Sequence, residues 1–537
     1  MYCIPRVRSV RLDIENLEAG VADILAATGT PSLSYTIVQN GKTLHTKHFG
    51  YRDIQQNACP DDQTRYNINS MTKAMVAALA GIIASTGHID LHASVKSYLP
   101  DFACHESSFD DQVTIIDLLS HRTGFTNFDP IWLGSQNSLL LSRDQTLKTF
   151  ATLKPCEPFR ASFLYNNWGY ELIGKILETV TGDPLHVLLH EKIFKPLGMT
   201  RTSTNWDLDE ENTTKSYVVL QDLTPVPIGR PELGQGTLME AAGGVKSTIE
   251  DLTIFYTSFI FAVNDQVASD SDSTHESIFH HCRDLVTNHA RLPGMSLREQ
   301  GYGAGWTRSQ LPGQLGRTSF NPSIRPEPIT GKGSKSRLIL YHHGSMPGST
   351  SCVHLVPELD AFIVVLQNSI APIDTADFVC QYLLEGFLHT KRPNDYKQLA
   401  TEFTTQSLGH MDRIKKDLDT NRMAGTSPRP LDDYTGIYWN HIANFSIEIS
   451  QVDSALQMCF QGRASEVFQL THYHDDVFSW WMPYDEVARR GRTITDYPAS
   501  YYLISFSSKD GEGIHVLKWA WDPNMETDVE EFWSRSS

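Results

Sequence analysis

The 537-residue sequence predicts a mixed α/β (α+β) chain that ends in a small antiparallel β-barrel. Three observations carry that reading. Two strand-like runs in residues 31–53 flank Asn40-Gly41, the dipeptide of a two-residue hairpin. In 165–182, Leu172, Ile173, Ile176, Leu177 and Val180 recur at helical spacing behind two asparagines suited to cap a helix. After the linker-like stretch Thr426-Ser427-Pro428-Arg429-Pro430, residues 431–537 become a succession of aromatic and β-rich runs. The boundaries follow as 1–395 for the main domain, 396–429 for a helical linker and 430–537 for the barrel.

Composition excludes several function classes. There are 45 Lys+Arg against 63 Asp+Glu, a formal charge of −18, so no excess of cations is available for a nucleic-acid backbone. Hydrophobic residues make up 40%, enough for a large core and too many for a disordered chain. The longest apolar-rich run, Ala74–Ala84, is about 11 residues where a membrane span needs ~20, so no insertion is expected. The first residues carry charges and no apolar signal core, so a cytoplasmic location is expected. Eight cysteines (3, 59, 104, 156, 282, 352, 380 and 459) show no CxxC, which fits neither a disulfide scaffold nor a zinc knuckle.

Taken in order, residues 65–87 lead from an extended approach into an Ala- and Met-rich helix closed by Gly87. Residues 113–125 form a short helix ending at Thr123-Gly124, and 193–199 read as a loop punctuated by Pro196 and Gly198. In 241–256 a glycine turn and Ser247-Thr248 precede an acidic first helical turn. Residues 307–337 look like a basic loop, with Arg308, Arg317, Arg325, Lys332, Lys335 and Arg337, inserted near a cleft mouth. Strand-like runs follow at 337–344 and 352–369, and a polar helix-prone stretch at 395–424.

Chemistry concentrates in three places. Ser70 and Lys73 stand three apart at the start of a helix, so they share one face. A desolvated lysine there can take the serine proton, and the free helix N–H groups favour developing negative charge. Tyr165-Asn166-Asn167 can cap a helix, or can bring a phenol and an amide to the same site. Beside Lys73, that phenol is expected to ionise more easily. His342-His343-Gly344-Ser345 lies on a strand whose Ser345 N–H, with that of Ser70, could form an oxyanion hole.

In order and rough spacing, Ser70-x-x-Lys73, Tyr165-x-Asn167 and His342-x-Gly344 resemble the three motifs of the serine β-lactamase and penicillin-binding-protein family. The class C β-lactamases and their esterase, D-aminopeptidase and acyltransferase relatives are the most similar branch. The blocks VTIIDLLSHRTGF, IFKPLGMTRTS, AAGGVKSTIEDL and GYGAGW support this over about residues 15–390. Residues 431–537 resemble the lipocalin-like domain that often follows such enzymes. The resemblance implies an antiparallel sheet flanked by helices with an all-helical subdomain, and a covalent acyl-enzyme on Ser70. Lys73 and Tyr165 would move protons, Asn167 would hold Lys73 and the substrate, and the N–H groups of Ser70 and Ser345 would hold the oxyanion. No metal or organic cofactor is implied.

One departure matters. Where β-lactamases place lysine, this chain has His342, which is mostly neutral at pH 7 with an ordinary pKa of about 6.5. That favours a serine hydrolase of an ester, amide or thioester of a small metabolite or peptide. The alternative is an acyltransferase, transesterase or thioesterase-like enzyme of secondary-metabolite biosynthesis. The expected partner is a small acyl substrate, with an acyl-carrier protein as a candidate for the basic 307–337 segment. A metallo-hydrolase reading of His472-Tyr473-His474-Asp475-Asp476 stops at Val477, where a further histidine is needed.

Overall fold

The computed structural model describes residues 10–534 apart from 206–210, 295, 322–326, 493–496, 509–512, 523 and 526–528. Helix α1 (Ile14–Thr28) is capped by Asp13 and ends at Gly29 in the left-handed region. The hairpin follows as β1 (Ser32–Gln39) and β2 (Lys42–Gly50), with Asn40 and Gly41 both at positive φ, as a two-residue turn between twisted strands requires. Six later strands join them: β3 (Ala290–Arg291), β4 (Gln300–Tyr302), β5 (Thr307–Leu311), β6 (Arg337–Met346), β7 (Ser349–Val356) and β8 (Ala361–Gln367). The order across the sheet is β2-β1-β8-β7-β6-β5-β4-β3, and every neighbouring pair is antiparallel. Strands β1, β7 and β8 are buried at every residue, because helices cover both faces.

On one face lie the helical elements that build the cleft. Helix α2 (Thr72–Ser85) is buried from Thr72 through Gly81, the mark of a core helix that is apolar all round. Short α3 (Ile115–Leu119) has a reciprocal cap between Thr114 and Asp117. Helix α4 (Asn167–Thr181) starts at the Asn166 cap and stops at left-handed Gly182. Helix α5 (Ile249–Ser269) begins at the expected place, with the Thr248 hydroxyl accepting from the Asp251 N–H at 3.1 Å.

The other face is covered by α1, α6 (Thr375–Phe387) and α7 (Tyr396–Leu408), whose Leu17, Val21, Val379, Leu383 and Phe403 form a second core. Helix α8 (His410–Asn421) instead buries Met411, Ile414 and Leu418 against the C-terminal part. That part is a closed eight-stranded barrel of β9 (Gly436–Trp439), β10 (Ser446–Val452), β11 (Ala455–Phe460), β12 (Val467–His474), β13 (Val477–Ser479), β14 (Leu503–Ser507), β15 (Val516–Trp519) and β16 (Glu530–Ser534). Its interior is packed with its own aromatic side chains, Phe460 stacking on Trp519 at 5.2 Å and Trp480 meeting Trp519 edge-on at 5.7 Å.

Two local expectations are corrected. Residues 193–199 are helical as far as Leu197, because Pro196 falls in a first turn where no N–H is needed and Gly198 supplies the left-handed close. Residues 307–337 are not a loop throughout, and among the described residues none of them lines the cavity at Ser70. Thr307–Leu311 is β5, and Leu311 and Leu315 belong to the second core with α6, on the sheet face turned away from Ser70. There Asn321 Nδ2 donates to Asp377 Oδ2 at 3.1 Å and Thr330 Oγ1 to Gln381 Oε1 at 2.7 Å. Arg308 pairs with Glu299 and Arg317 with Glu327, and Arg325 lies outside the described residues.

Candidate active site

Ser70 sits in the 3-10 turn Asn69–Met71 that leads directly into α2. Asn69 is held in the left-handed region (φ 48°), a conformation that costs a non-glycine residue about 1–2 kcal/mol. Its side chain is tied down by donation to the Ser349 carbonyl and hydroxyl oxygens at 3.1 and 3.0 Å. Strand β6 crosses this turn so closely that a Cβ on Gly344 would lie 2.2 Å from the Ile68 carbonyl oxygen and 2.5 Å from Ser351 Oγ. Only glycine lets the strand pass there. Strand β5 pairs with β6 only as far as Tyr341, so His342–Met346 run past the serine with β7 on one edge and the cleft beside them.

Lys73, in the first turn of α2, is fully buried. Its Nζ donates to Ser70 Oγ at 3.1 Å, Asn167 Oδ1 at 2.8 Å and the Ala242 carbonyl at 2.8 Å. Burial brings its pKa down from 10.5 to about 7, with the Asp129 carboxylate pulling weakly the other way. Close to neutral pH, much of this amine is therefore uncharged and able to accept the serine proton. Asp129 reaches the same network through Asn167, whose Nδ2 donates to Asp129 Oδ1 at 3.0 Å, and it also accepts from Trp132 Nε1 at 2.8 Å. Burial raises the Asp129 carboxyl in turn.

In Tyr165-Asn166-Asn167 the two readings divide between the residues. Asn166 is the cap, accepting from the Gly169 N–H at 3.2 Å and donating to the Phe125 and Thr126 carbonyls. Asn167 turns to Lys73, and the Tyr165 ring lies 4.8 Å from the Lys73 ammonium. The expected easing of the Tyr165 ionisation is not found. Burial pushes the phenol well above its ordinary value and the Asp129 charge adds to this, while the Ser70 hydroxyl opposes it. Tyr165 is thus a protonated donor near neutral pH.

His342 and His343 point to opposite sides of β6, as strand alternation requires. His342 is buried, and its Nδ1–H donates to the His343 carbonyl at 2.6 Å, so its Nε2 accepts from the Tyr302 hydroxyl at 2.9 Å. Burial and the nearby Lys73 charge hold it far below the usual imidazole range, which fixes it neutral. His121 is a second neutral imidazole, its Nδ1 accepting from the Asn166 N–H at 3.1 Å and its ring 4.3 Å from that of Tyr165.

Ser70, Asn167 and Ser345 open on a cavity of about 150 Å³. Trp132, Leu133, Leu233, Met239, Met346 and Pro347 give it an apolar wall, and Tyr497, from the barrel, completes it. The barrel docks on the segment that carries Asp129 and Trp132, with Trp521 edge-on to Phe128 at 4.3 Å and Asn524 Nδ2 donating to Asn127 Oδ1 at 2.7 Å.

The structure therefore brings Ser70, Lys73, Tyr165, Asn167, His342, Gly344 and Ser345 to one place. Sequence reasoning passed over His121, Asp129, Trp132, Tyr302 and Tyr497. His121 and Tyr302 stood inside quoted blocks but carried no spacing that marked a role. The suspected metal stretch is a hairpin with local bonds: His472 Nε2 donates to the Asp475 carbonyl at 3.0 Å, and Asp476 pairs with Arg429 and accepts from Tyr434. Among the described residues, the donors that do cluster are His343, Cys352, His354 and Asp377, on the far face of the sheet.

Residues 17–378 match the family model described as Beta-lactamase, and residues 420–534 match that of a domain of unknown function, DUF3471. Protein flp of Staphylococcus aureus (strain NCTC 8325 / PS 47) is 30% identical over 210 residues, covering 38% of this chain and 40% of that protein. An N-acetylmuramyl-L-alanine amidase of Bacillus subtilis (strain 168) is 26% identical over 194 residues, 33% of this chain and 44% of that one. The match thus spans less than half of these relatives. The octameric penicillin-binding protein homologue from Pyrococcus abyssi shares the fold, with a TM-score of 0.55 at 19% identity over 98% of this chain and 99% of that one.

Proposed function

The chain belongs to the beta-lactamase family, and from that premise we propose that it is a serine hydrolase acting through an acyl-enzyme on Ser70. The observation that carries this is the buried Lys73 amine, 3.1 Å from Ser70 Oγ with its pKa brought to about 7. In the proposed reaction the neutral amine takes the Ser70 proton as Oγ attacks the acyl carbon. The N–H groups of Ser70 and Ser345 receive the oxyanion, an arrangement in which one donor is worth about 3–4 kcal/mol. The proton passes by Lys73 and Tyr165 to the leaving oxygen, nitrogen or sulfur. Water then attacks the acyl carbon, and Ser70 regains its proton.

The substrate class follows from charge. Among the described residues, the cavity wall carries no arginine or histidine and its only acid is Asp129, and His342 stays neutral behind it. Such a wall suits an uncharged, apolar acyl group of a small ester, amide or thioester better than a carboxylate-bearing β-lactam. The amidase named above acts on an amide, which agrees with this class.

Intact-mass measurement after incubation with an activated ester, a thioester, an amide and a β-lactam tests the reading. A mass increase equal to one acyl group, absent in Ser70→Ala, is expected for the ester and thioester. Absence of any adduct and of any turnover across the panel contradicts it. Repeating the assay with amine and alcohol acceptors separates hydrolysis from acyl transfer.

A further inference from the structure

We propose that the chain holds a divalent transition-metal ion, zinc by its donor chemistry, at a buried site behind the catalytic strand, formed by His343, Cys352, His354 and Asp377. One donor atom from each of the four lies within 4.8 Å of those of the other three. Each residue is at most 1% exposed. His343 stands on β6 directly opposite Cys352 on β7, His354 is two residues further along the same face of β7, and Asp377 comes from the first turn of α6.

The residue that calls for a ligand is His354. Both of its ring nitrogens are buried without a hydrogen bond of ordinary geometry among the described residues, and the polar group beside the ring is the weakly bonding Cys380 thiol. A neutral imidazole has one donor and one acceptor, and burying both unmatched is costly. A metal ion satisfies one nitrogen by a coordinate bond. The donor set fits: zinc accepts thiolate, imidazole and carboxylate in four-coordinate sites, with bonds of about 2.0–2.3 Å. The charges also fit, because one thiolate and one carboxylate cancel the ion's two positive charges while the imidazoles add none, as a dry interior requires.

Outer contacts hold the donors. Thr318 Oγ1 is 2.9 Å from His343 Nδ1, and Asp377 accepts from Asn321 Nδ2 at 3.1 Å and Gln381 Nε2 at 2.7 Å. His343 Nε2 now faces Asp377 Oδ1 at 3.0 Å across a shared proton. The ion takes the place of that proton, the Cys352 thiol gives up its own, and lone pairs of the four donors form the bonds with no change of oxidation state. Four protein ligands close the site to substrate, so its work is to pin β6, which carries His342, Gly344 and Ser345, to β7 and α6. Cysteine spacing in the sequence could not show this, since the donors come from three separate segments.

The test uses the full chain expressed in cobalt-supplemented medium, desalted into metal-free buffer, and examined by elemental mass spectrometry and absorption spectroscopy. About one cobalt ion per chain and a thiolate-to-cobalt charge-transfer band are expected. Cys352→Ser and Asp377→Asn should lose the ion, and Ser70→Ala should keep it. The Cys352 thiol also meets that of Cys380 on α6. Metal content far below one ion per chain, absence of the thiolate band, or a disulfide between these two cysteines in the purified protein overturns the proposal. Should the variants fail to fold, the wild-type stoichiometry and band decide alone.

Discussion

The cleft has two walls of different origin. One is built from the turn into α2, α4 and β6: Lys73 hydrogen-bonds to Ser70 and Asn167, and Ser345 lines the same cavity. The other is built from the 126–140 loop and the barrel's Tyr497, and is largely apolar. The first wall spends stability to obtain reactivity: a buried amine and a left-handed Asn69 both cost folding free energy. The second adds shape and excludes water. Changes in the first wall should therefore strike the chemical step, and changes in the second should strike selectivity.

The largest contrast is expected at Lys73. Lys73→Met should lower kcat/KM by about 10⁴-fold, in the range lost when a member of a serine–base unit is removed, while thermal unfolding shows a Tm no lower than wild type. A large loss of Tm would break the claim that the amine is held at a cost. Tyr165→Phe should lower kcat by about 10²–10⁴-fold on an amide, and by much less on an activated ester whose leaving group needs no proton. Equal losses on both substrates would deny the phenol its donor role.

Asp129 joins the walls. Its carboxylate raises the Lys73 pKa, so Asp129→Asn should shift the acid limb of the kcat/KM profile to lower pH. A shift to higher pH would contradict the assigned electrostatics. The smallest effect is expected at Tyr497, where Tyr497→Ala should change KM and the preference among acyl chains by about tenfold or less, the equivalent of at most about 1.4 kcal/mol. Unchanged selectivity over a chain-length series would place Tyr497 outside substrate contact.

Legibility in the sequence followed the same division. Ser70 and Lys73 were readable because one helical turn places them together, and Tyr165 and Asn167 because they flank a cap. His342 and Ser345 stand on a strand, where alternation sets their direction. Asp129, Trp132 and Tyr497 come from a loop and from the barrel, and only tertiary packing brings them to the serine. The Tyr165 pKa was misjudged because the adjacent cation is visible in sequence and the depth of burial is not. Residues 307–337 were misplaced because charge suggested a cleft mouth, whereas Asn321 and Thr330 satisfy buried groups of α6. The barrel was visible from its alternating aromatic runs, although nothing in them indicated where it docks.

The central claim is that a neutral lysine amine activates Ser70. The rate of the acylation burst with a chromogenic activated ester, followed from mildly acidic to mildly alkaline pH, tests it most directly. The account expects the rate to rise to a plateau with a midpoint at about 7, and the burst to vanish in Lys73→Met. A burst rate that is flat across this range, or that persists unchanged in Lys73→Met, would contradict it.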